Sequence, residues 1–75
     1  MLVDVNSVFE HPKFKEALDG YIKDGVSVKF VLEDKMKMVF EVAGLEGQEA
    51  ITFVKSYLKS LKWTTAIYFT VVKHL

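Results

Sequence analysis

The sequence predicts an α+β fold, a two-layer sandwich with both helices on one face of an antiparallel sheet. From Val26 to Val42, apolar residues alternate with other residues in two consecutive runs, the pattern of a half-buried β-hairpin. Residues 12–23 and 46–62 repeat apolar residues at the spacing of an amphipathic helix. Residues 64–72 are rich in β-branched and aromatic residues, which favours a final strand. The predicted element order is (β)αββαβ in one domain, residues 1–75.

The hairpin register follows from which residues share a face, because directly opposed residues of an antiparallel pair point the same way. A three-residue loop that ends at Lys35 pairs Leu32 with Met36 and places the large apolar residues on one face. A two-residue loop pairs Leu32 with the charged Lys37, so we prefer the longer loop. The preferred register also pairs Phe30 with Met38, Val28 with Phe40, and Val26 with Val42. It requires a positive φ at Lys35, where glycine is more usual.

The segment before the hairpin contains the first predicted helix. Ser7 and Glu10 fit a capping box that closes a single turn at 7–11. Pro12 then suits the first position of a helix that runs to about residue 23. One face of this helix is expected to be buried, since its apolar residues recur at helical spacing. They are Phe14, Ala17, Leu18, Tyr21 and Ile22.

Two features of the topology stay open at the level of sequence. If Leu2–Val5 is a strand, the chain forms the split βαβ, ferredoxin-like arrangement; if it is not, the fold is αββαβ with a three-stranded sheet. The last strand also has two candidate inward faces. We place Ile67, Phe69 and Val71 against the helices, because that set is larger and purely apolar. The other face carries Ala66, Tyr68, Thr70 and Val72.

Composition excludes several classes of function. The chain has no cysteine, so it has no disulfide and no thiolate metal site. Its 10 basic residues are all lysine and balance 10 acids, unlike the strongly basic proteins built to hold nucleic acid or acidic membranes. Without arginine there is no bidentate donor for phosphate or guanine. The apolar runs are too short for a membrane span, and no signal peptide is recognisable, so we expect a cytoplasmic protein without a membrane partner.

Residues with catalytic or metal-binding chemistry are few and scattered. His11 and His74 lie far apart in the sequence, and neither has neighbouring ligands at the spacing of a metal site. The serines lack the context of a nucleophile elbow, and the glycines form no phosphate-binding loop. We therefore expect no enzymatic activity, no cofactor and no bound metal.

The outer face of the predicted sheet is the leading candidate for a function. With both helices on one face, the other face has no covering element, and apolar residues there would form an exposed patch. A second copy of the chain is the simplest cover, so we expect a small non-enzymatic interaction module that forms a homodimer or binds another protein. The candidate interface residues are Val31, Val39, Tyr68 and Val72.

The lysines support an alternative function, which is weak binding of RNA or DNA. Lys29 and Lys37 are expected beside Tyr68 on the outer face, and lysines beside an exposed aromatic suit single-stranded RNA. A second lysine surface lies on one face of the second helix, with no acid among its members. They are Lys55, Lys59 and Lys62. Because lysine supplies charge without bidentate base recognition, such binding would be weak and salt-dependent. An enzyme or small-ligand binder ranks third.

Overall fold

The computed structural model describes the whole chain, residues 1–75, and contains two α-helices and one antiparallel five-stranded sheet. In chain order the elements are β1 (Leu2–Asn6), α1 (His11–Leu18), β2 (Ile22–Lys23), β3 (Val26–Asp34), β4 (Lys37–Ala43), α2 (Gln48–Lys59), a 3₁₀ helix (Lys62–Ala66) and β5 (Thr70–Lys73). The strands pair in the order β2-β3-β4-β1-β5, and every pair is antiparallel. The predicted α+β class is confirmed.

The strands divide their side chains between two faces. One, here called the core face, carries the apolar strand residues that form a single buried cluster with side chains of both helices. The strand members of this cluster are Val3, Val5, Val26, Val28, Met38, Phe40, Val42 and Val71, and the helix members are Phe14, Leu18, Ala50, Val54 and Leu58. The opposite face, here called the outer face, carries Leu32, Val39, Asp4 and Val72 side by side on four strands.

The short apolar segment at the start of the chain lies inside the sheet. β1 pairs with β4 on one side and with β5 on the other. Val3 and Val5 are fully buried on the core face, and the intervening Asp4 points to the outer face. The segment is therefore a strand, and the three-stranded αββαβ alternative is wrong.

Helix α1 is shorter than predicted, because the chain turns away after it. Gly20 has a φ of 86°, a left-handed conformation that does not continue a helix. The Asp19 carboxylate then accepts a hydrogen bond of 3.0 Å from the Phe30 backbone N–H. Tyr21 packs against the core as predicted, but Ile22 lies in β2 and is exposed.

The N-terminus of α1 has a different cap from the predicted one. Glu10 is itself the N-cap residue, with a φ of 63°, and no side chain caps the helix. The Ser7 hydroxyl lies 3.0 Å from the carbonyl oxygen of Phe9 and 3.3 Å from that of Tyr68. Ser7 thus ties the loop before α1 to the segment before β5, and the predicted capping box is wrong. Pro12 does lie in the first turn.

The β3–β4 hairpin departs from the predicted register. Phe30 pairs with Phe40 rather than with Met38, because the loop between the strands contains only Lys35 and Met36 and a β-bulge at Val31 adds one residue to β3. Lys35 has the expected positive φ, at 57°. The shorter loop and the bulge together change every pair of the hairpin, and they keep Phe30, Phe40 and Met38 on the core face.

A β-bulge at Val31 reverses the faces of the residues that follow it in β3. Val31 has no partner; Leu32 pairs with Val39 on the outer face, and Glu33 pairs with Met38 on the core face. An uninterrupted strand would place them the other way round. Leu32 is consequently 47% exposed instead of buried, and the prediction for this residue is wrong.

The chain between α2 and β5 forms the 3₁₀ helix and an extended segment, so the predicted strand begins later than residue 64. Ile67 and Phe69 pack against the core and Val71 is buried, which confirms the predicted inward set. The ring centroids of Trp63 and Phe69 lie 4.9 and 5.6 Å from that of Phe14 in edge-to-face contacts. Aromatic packing therefore holds a segment that has little regular structure.

Candidate functional site

The outer face combines apolar and charged side chains in neighbouring rows. The central row is Leu32, Val39, Asp4 and Val72. One flanking row is Lys29, Glu41 and Leu2, and the other is Asp34, Lys37, Asn6 and Thr70. Both lysines on this face stand directly opposite an acid, and Asp4 in the central row is a third acid, so the face carries charges of both signs.

The four residues predicted for the dimer interface do not form one patch. Val72 is 45% exposed on the outer face, and Val31 is exposed at the bulge. Val39 lies on the outer face as expected but is only 1% exposed, so its predicted exposure to solvent is wrong. Tyr68 is 83% exposed but precedes β5 and belongs to no strand, so its predicted place on the sheet is also wrong. Leu32, which sequence reasoning assigned to the core, lies here instead.

The burial of Val39 follows from its neighbours in the sheet. Leu32 stands opposite Val39 next to the unpaired Val31, and Asp4 flanks Val39 on the other side. His74 Nδ1 donates a hydrogen bond of 2.7 Å to the Asp4 carboxylate, which is itself nearly buried. The centre of the outer face is therefore closed by its own side chains, and the exposed apolar residues lie beside that centre.

A second polar cluster joins the start of α1 to β3. His11 Nε2 lies 2.6 Å from the Ser7 carbonyl oxygen, and Nδ1 is hydrogen-bonded to the Glu33 carboxylate. Both partners are acceptors, so both ring nitrogens donate and the imidazole is charged. Burial opposes this charge, but the bonds to Glu33 and Ser7 and the charge of Glu33 outweigh it and raise the pKa of His11. The geometry of the cluster therefore favours a charged His11 paired with the Glu33 carboxylate.

Glu33 shows the complementary effect. Hydrogen bonds from His11 and then from Lys15, whose Nζ lies 3.0 Å away, lower the pKa of the Glu33 carboxyl. The bulge at Val31 places Glu33 on the side of the sheet where these two residues lie. The sequence gives no indication of the His11–Glu33 contact, because the bulge leaves no pattern in the sequence.

The clusters described above do not assemble a metal site. No group of three or more histidine, cysteine, aspartate or glutamate side chains lies close enough together to hold a metal ion. His11 and His74 have one carboxylate partner each, Glu33 and Asp4 respectively. The chemistry available in the two clusters is therefore ion pairing and hydrogen bonding.

A cleft of about 750 Å³ lies between α2 and the end of the chain. Lys55 and Lys59, one helical turn apart, line it together with Thr64, Thr65 and the six consecutive residues 67–72. No acidic side chain is among the lining residues. The structure thus brings two of the three predicted α2 lysines together with Tyr68, and leaves Lys62 on the 3₁₀ helix outside the cleft. Lys29 and Lys37 lie elsewhere, on the outer face.

Comparisons with protein-family models, with curated proteins and with solved structures find no match for this chain. Neither α1 nor α2 is long and apolar enough to cross a membrane. Since a fold of this kind does not by itself define an activity, function has to be argued from the surfaces described above.

Proposed function

We propose that the chain is a small non-enzymatic interaction module that self-associates through the outer face of its sheet. One observation carries the proposal: Leu32 and Val72 are about half exposed on either side of the closed Val39–Asp4 centre. Leu32 and Val72 lie in the same row, on β3 and β5, and exposed apolar side chains on an otherwise uncovered sheet face favour an interaction surface.

The fold that supports this function is, in our proposal, the ferredoxin-like arrangement with both helices on the core face. Apart from the two-residue β2, the strand order β5-β1-β4-β3 places the first strand between the last strand and the second strand of the hairpin, as a split βαβ fold requires. The buried residues of α1 and α2 belong to the same cluster as the core face. This arrangement leaves the outer face without a covering element.

The charges of the outer face favour a second copy of the chain over a nucleic acid. Lys29 stands opposite Glu41, and Lys37 stands opposite Asp34. Around a two-fold axis, a face with both signs can place each lysine near an acid of the other copy. A polyanion would meet three acids, Asp4 among them, as well as the two lysines, so the same face suits it poorly.

The size of the face limits the strength of the association. The two longest extents of the molecule are 28 and 25 Å, so one face covers on the order of 700 Å², slightly less than the roughly 800 Å² that each partner buries in a typical complex. Because the face is small and its exposed apolar residues are few, we expect a weak dimer.

Sedimentation velocity over a range of concentrations tests the proposal. Leu32→Lys and Val72→Lys should each shift the protein towards monomer, since each places a charge on the apolar part of the face. Val8→Lys is the matched control, because Val8 is exposed in the loop before α1 and lies off the sheet. A wild-type protein that stays monomeric at high micromolar concentration refutes the proposal, as does a dimer that all three variants leave intact.

A further inference from the structure

We propose that the cleft between α2 and β5 binds an extended acidic peptide, which adds as a strand to the free edge of β5. This site borders the outer face, with which it shares Thr70 and Val72, but the inference does not depend on self-association. Four features of the structure carry the inference: an unpaired strand edge, the closure of the opposite edge, the course of the cleft, and its charge.

The first feature is the free edge of β5, whose only neighbour in the sheet is β1. The His74 backbone N–H donates a hydrogen bond of 3.1 Å to the Leu2 carbonyl oxygen. In an antiparallel pair, alternate residues direct their backbone groups to the same neighbour. Val72 therefore faces β1 with its N–H and C=O, whereas Val71 and Lys73 present theirs at the free edge.

The second feature is that the chain itself closes the first half of the opposite edge of the sheet, from Val26 to Phe30. β2 covers the start of β3 and has only two residues. Beside it, the Gly20 N–H donates to the Val28 carbonyl oxygen at 2.8 Å, and the Phe30 N–H donates to the Asp19 carboxylate at 3.0 Å. Proteins commonly block strand edges, because an open edge pairs with other chains. Here the first half of the β3 edge is blocked, whereas the β5 edge is open beside a cleft.

The third feature is the course of the cleft along that open edge. Six consecutive residues, Ile67 to Val72, line it. Successive side chains of an extended chain point to opposite faces, so one cleft can reach all six only where it follows the edge of the backbone. Its volume, about 750 Å³, is within the range of roughly 300–1,000 Å³ that accommodates bound ligands. A short extended peptide fits this shape.

The fourth feature is charge of a single sign. Lys55 and Lys59 line the α2 wall, and neither forms an ion pair with an acid of the chain. The backbone edge supplies hydrogen bonds, Ile67 and Phe69 supply apolar contact, and the lysines select for acidic side chains. Pairing β5 with β5 of a second copy would bring further lysines, from Lys73, to this site, so a second copy suits it less well than an acidic segment.

Amide hydrogen exchange measured by NMR tests strand addition directly. The probe is a short acetylated and amidated peptide of alternating glutamate and valine. We expect it to slow the exchange of the Val71 and Lys73 amides at least about tenfold, because those N–H groups become hydrogen-bonded. The Val72 amide already faces β1 and should change much less. The same peptide with N-methyl groups on alternate residues is the control, since it cannot complete the ladder.

Substitutions can remove the lysine charges of the cleft and a hydrogen-bond donor of the β5 edge separately. The double variant Lys55→Glu, Lys59→Glu should weaken peptide binding about tenfold or more. Its control is the double variant Lys23→Glu, Lys35→Glu, which changes the net charge equally at exposed sites outside the cleft. The control should have little effect on peptide binding. Lys73→Pro removes one N–H at the free edge, a position where a strand tolerates proline, and Lys73→Thr controls for its charge. Proline should reduce binding further than threonine.

Three results would overturn the proposal. The first is unchanged exchange of the Val71 and Lys73 amides at millimolar peptide. The second is equal binding of the N-methylated peptide, which would mean charge attraction without strand pairing. The third is binding of a single-stranded oligothymidylate at this cleft while the acidic peptide does not bind, which would assign the lysines to nucleic acid instead.

Discussion

At the scale of single residues, burial separates side chains that hold the fold from those available for binding. Phe40 is fully buried and pairs with Phe30 across the hairpin, with ring centroids 5.7 Å apart. Phe9 is 68% exposed in the loop before α1. The two phenylalanines therefore allow the same truncation to be compared in opposite environments.

Truncation of Phe40 to alanine should lower the free energy of unfolding by about 3–5 kcal/mol, because it removes apolar contact and leaves a cavity. Phe9→Ala should change it by no more than about 0.5 kcal/mol. Urea denaturation of both variants and the wild type gives the comparison. A loss below about 1 kcal/mol for Phe40→Ala would place this ring outside the core.

His11 and Glu33 make a prediction about pH. The raised pKa of His11 means that its charge stabilises the fold fully below the ordinary value of 6.5 and ceases to do so as pH rises through the raised pKa. The lowered pKa of Glu33 means that its contribution is complete above the ordinary value of 4.5 and is lost as pH falls through the lowered pKa. The pair therefore stabilises most between these two ordinary values.

Urea denaturation of wild type and His11→Gln across that range tests the ion pair. The difference in unfolding free energy should be largest between pH 4.5 and pH 6.5 and should shrink on the alkaline side. A difference that stays constant with pH would show that His11 acts through packing and not through its charge.

At the scale of elements, alternation and helical spacing predicted most of the core but not its irregularities. The core-face residues of β3 and β4 follow from period two, and Ala50, Val54 and Leu58 follow from the period of α2. The bulge does not, because Val31 and Leu32 are both apolar and either could have occupied the extra position. Gly20 carried the signal that ends α1, but the apolar spacing continued to Ile22 and concealed it.

The bulge leads to a prediction about deletions in β3. Deletion of Val31 removes the extra residue and leaves a continuous ladder in which Phe30 still faces the core and Leu32 still pairs with Val39. This variant should fold, with a loss of no more than about 1 kcal/mol.

Deletion of Lys29 is the matched control for that variant. Lys29 is also exposed and also in β3, but it lies in the regular ladder opposite Glu41. Its loss moves the preceding residues, Val26 and Val28, to the wrong face, so we expect severe destabilisation. Circular dichroism and urea denaturation distinguish the two. Equal losses for both deletions would count against the bulge.

At the scale of the whole molecule, the class of fold was predictable but the candidate surfaces were only partly so. The two-layer α+β class followed from one hairpin and two amphipathic segments. The position of β1 between β4 and β5 is set by pairing with strands distant in the sequence, which Leu2–Val5 alone cannot specify. Val72 was placed correctly on an exposed sheet face. Val39 was not, because its burial depends on a bulge in the neighbouring strand and on Asp4 beside it.

Intermolecular NOEs test most directly whether copies of the chain associate through the outer face of the sheet. A sample that mixes ¹³C-labelled with unlabelled chains, at a concentration where dimer forms, is measured with an isotope filter that retains only contacts between copies. We expect NOEs between the two copies from the methyl groups of Leu32 and Val72, on the outer face. Contacts confined to exposed residues off the sheet, such as Val8 and Phe9, or no contacts between copies at high micromolar concentration, would contradict it.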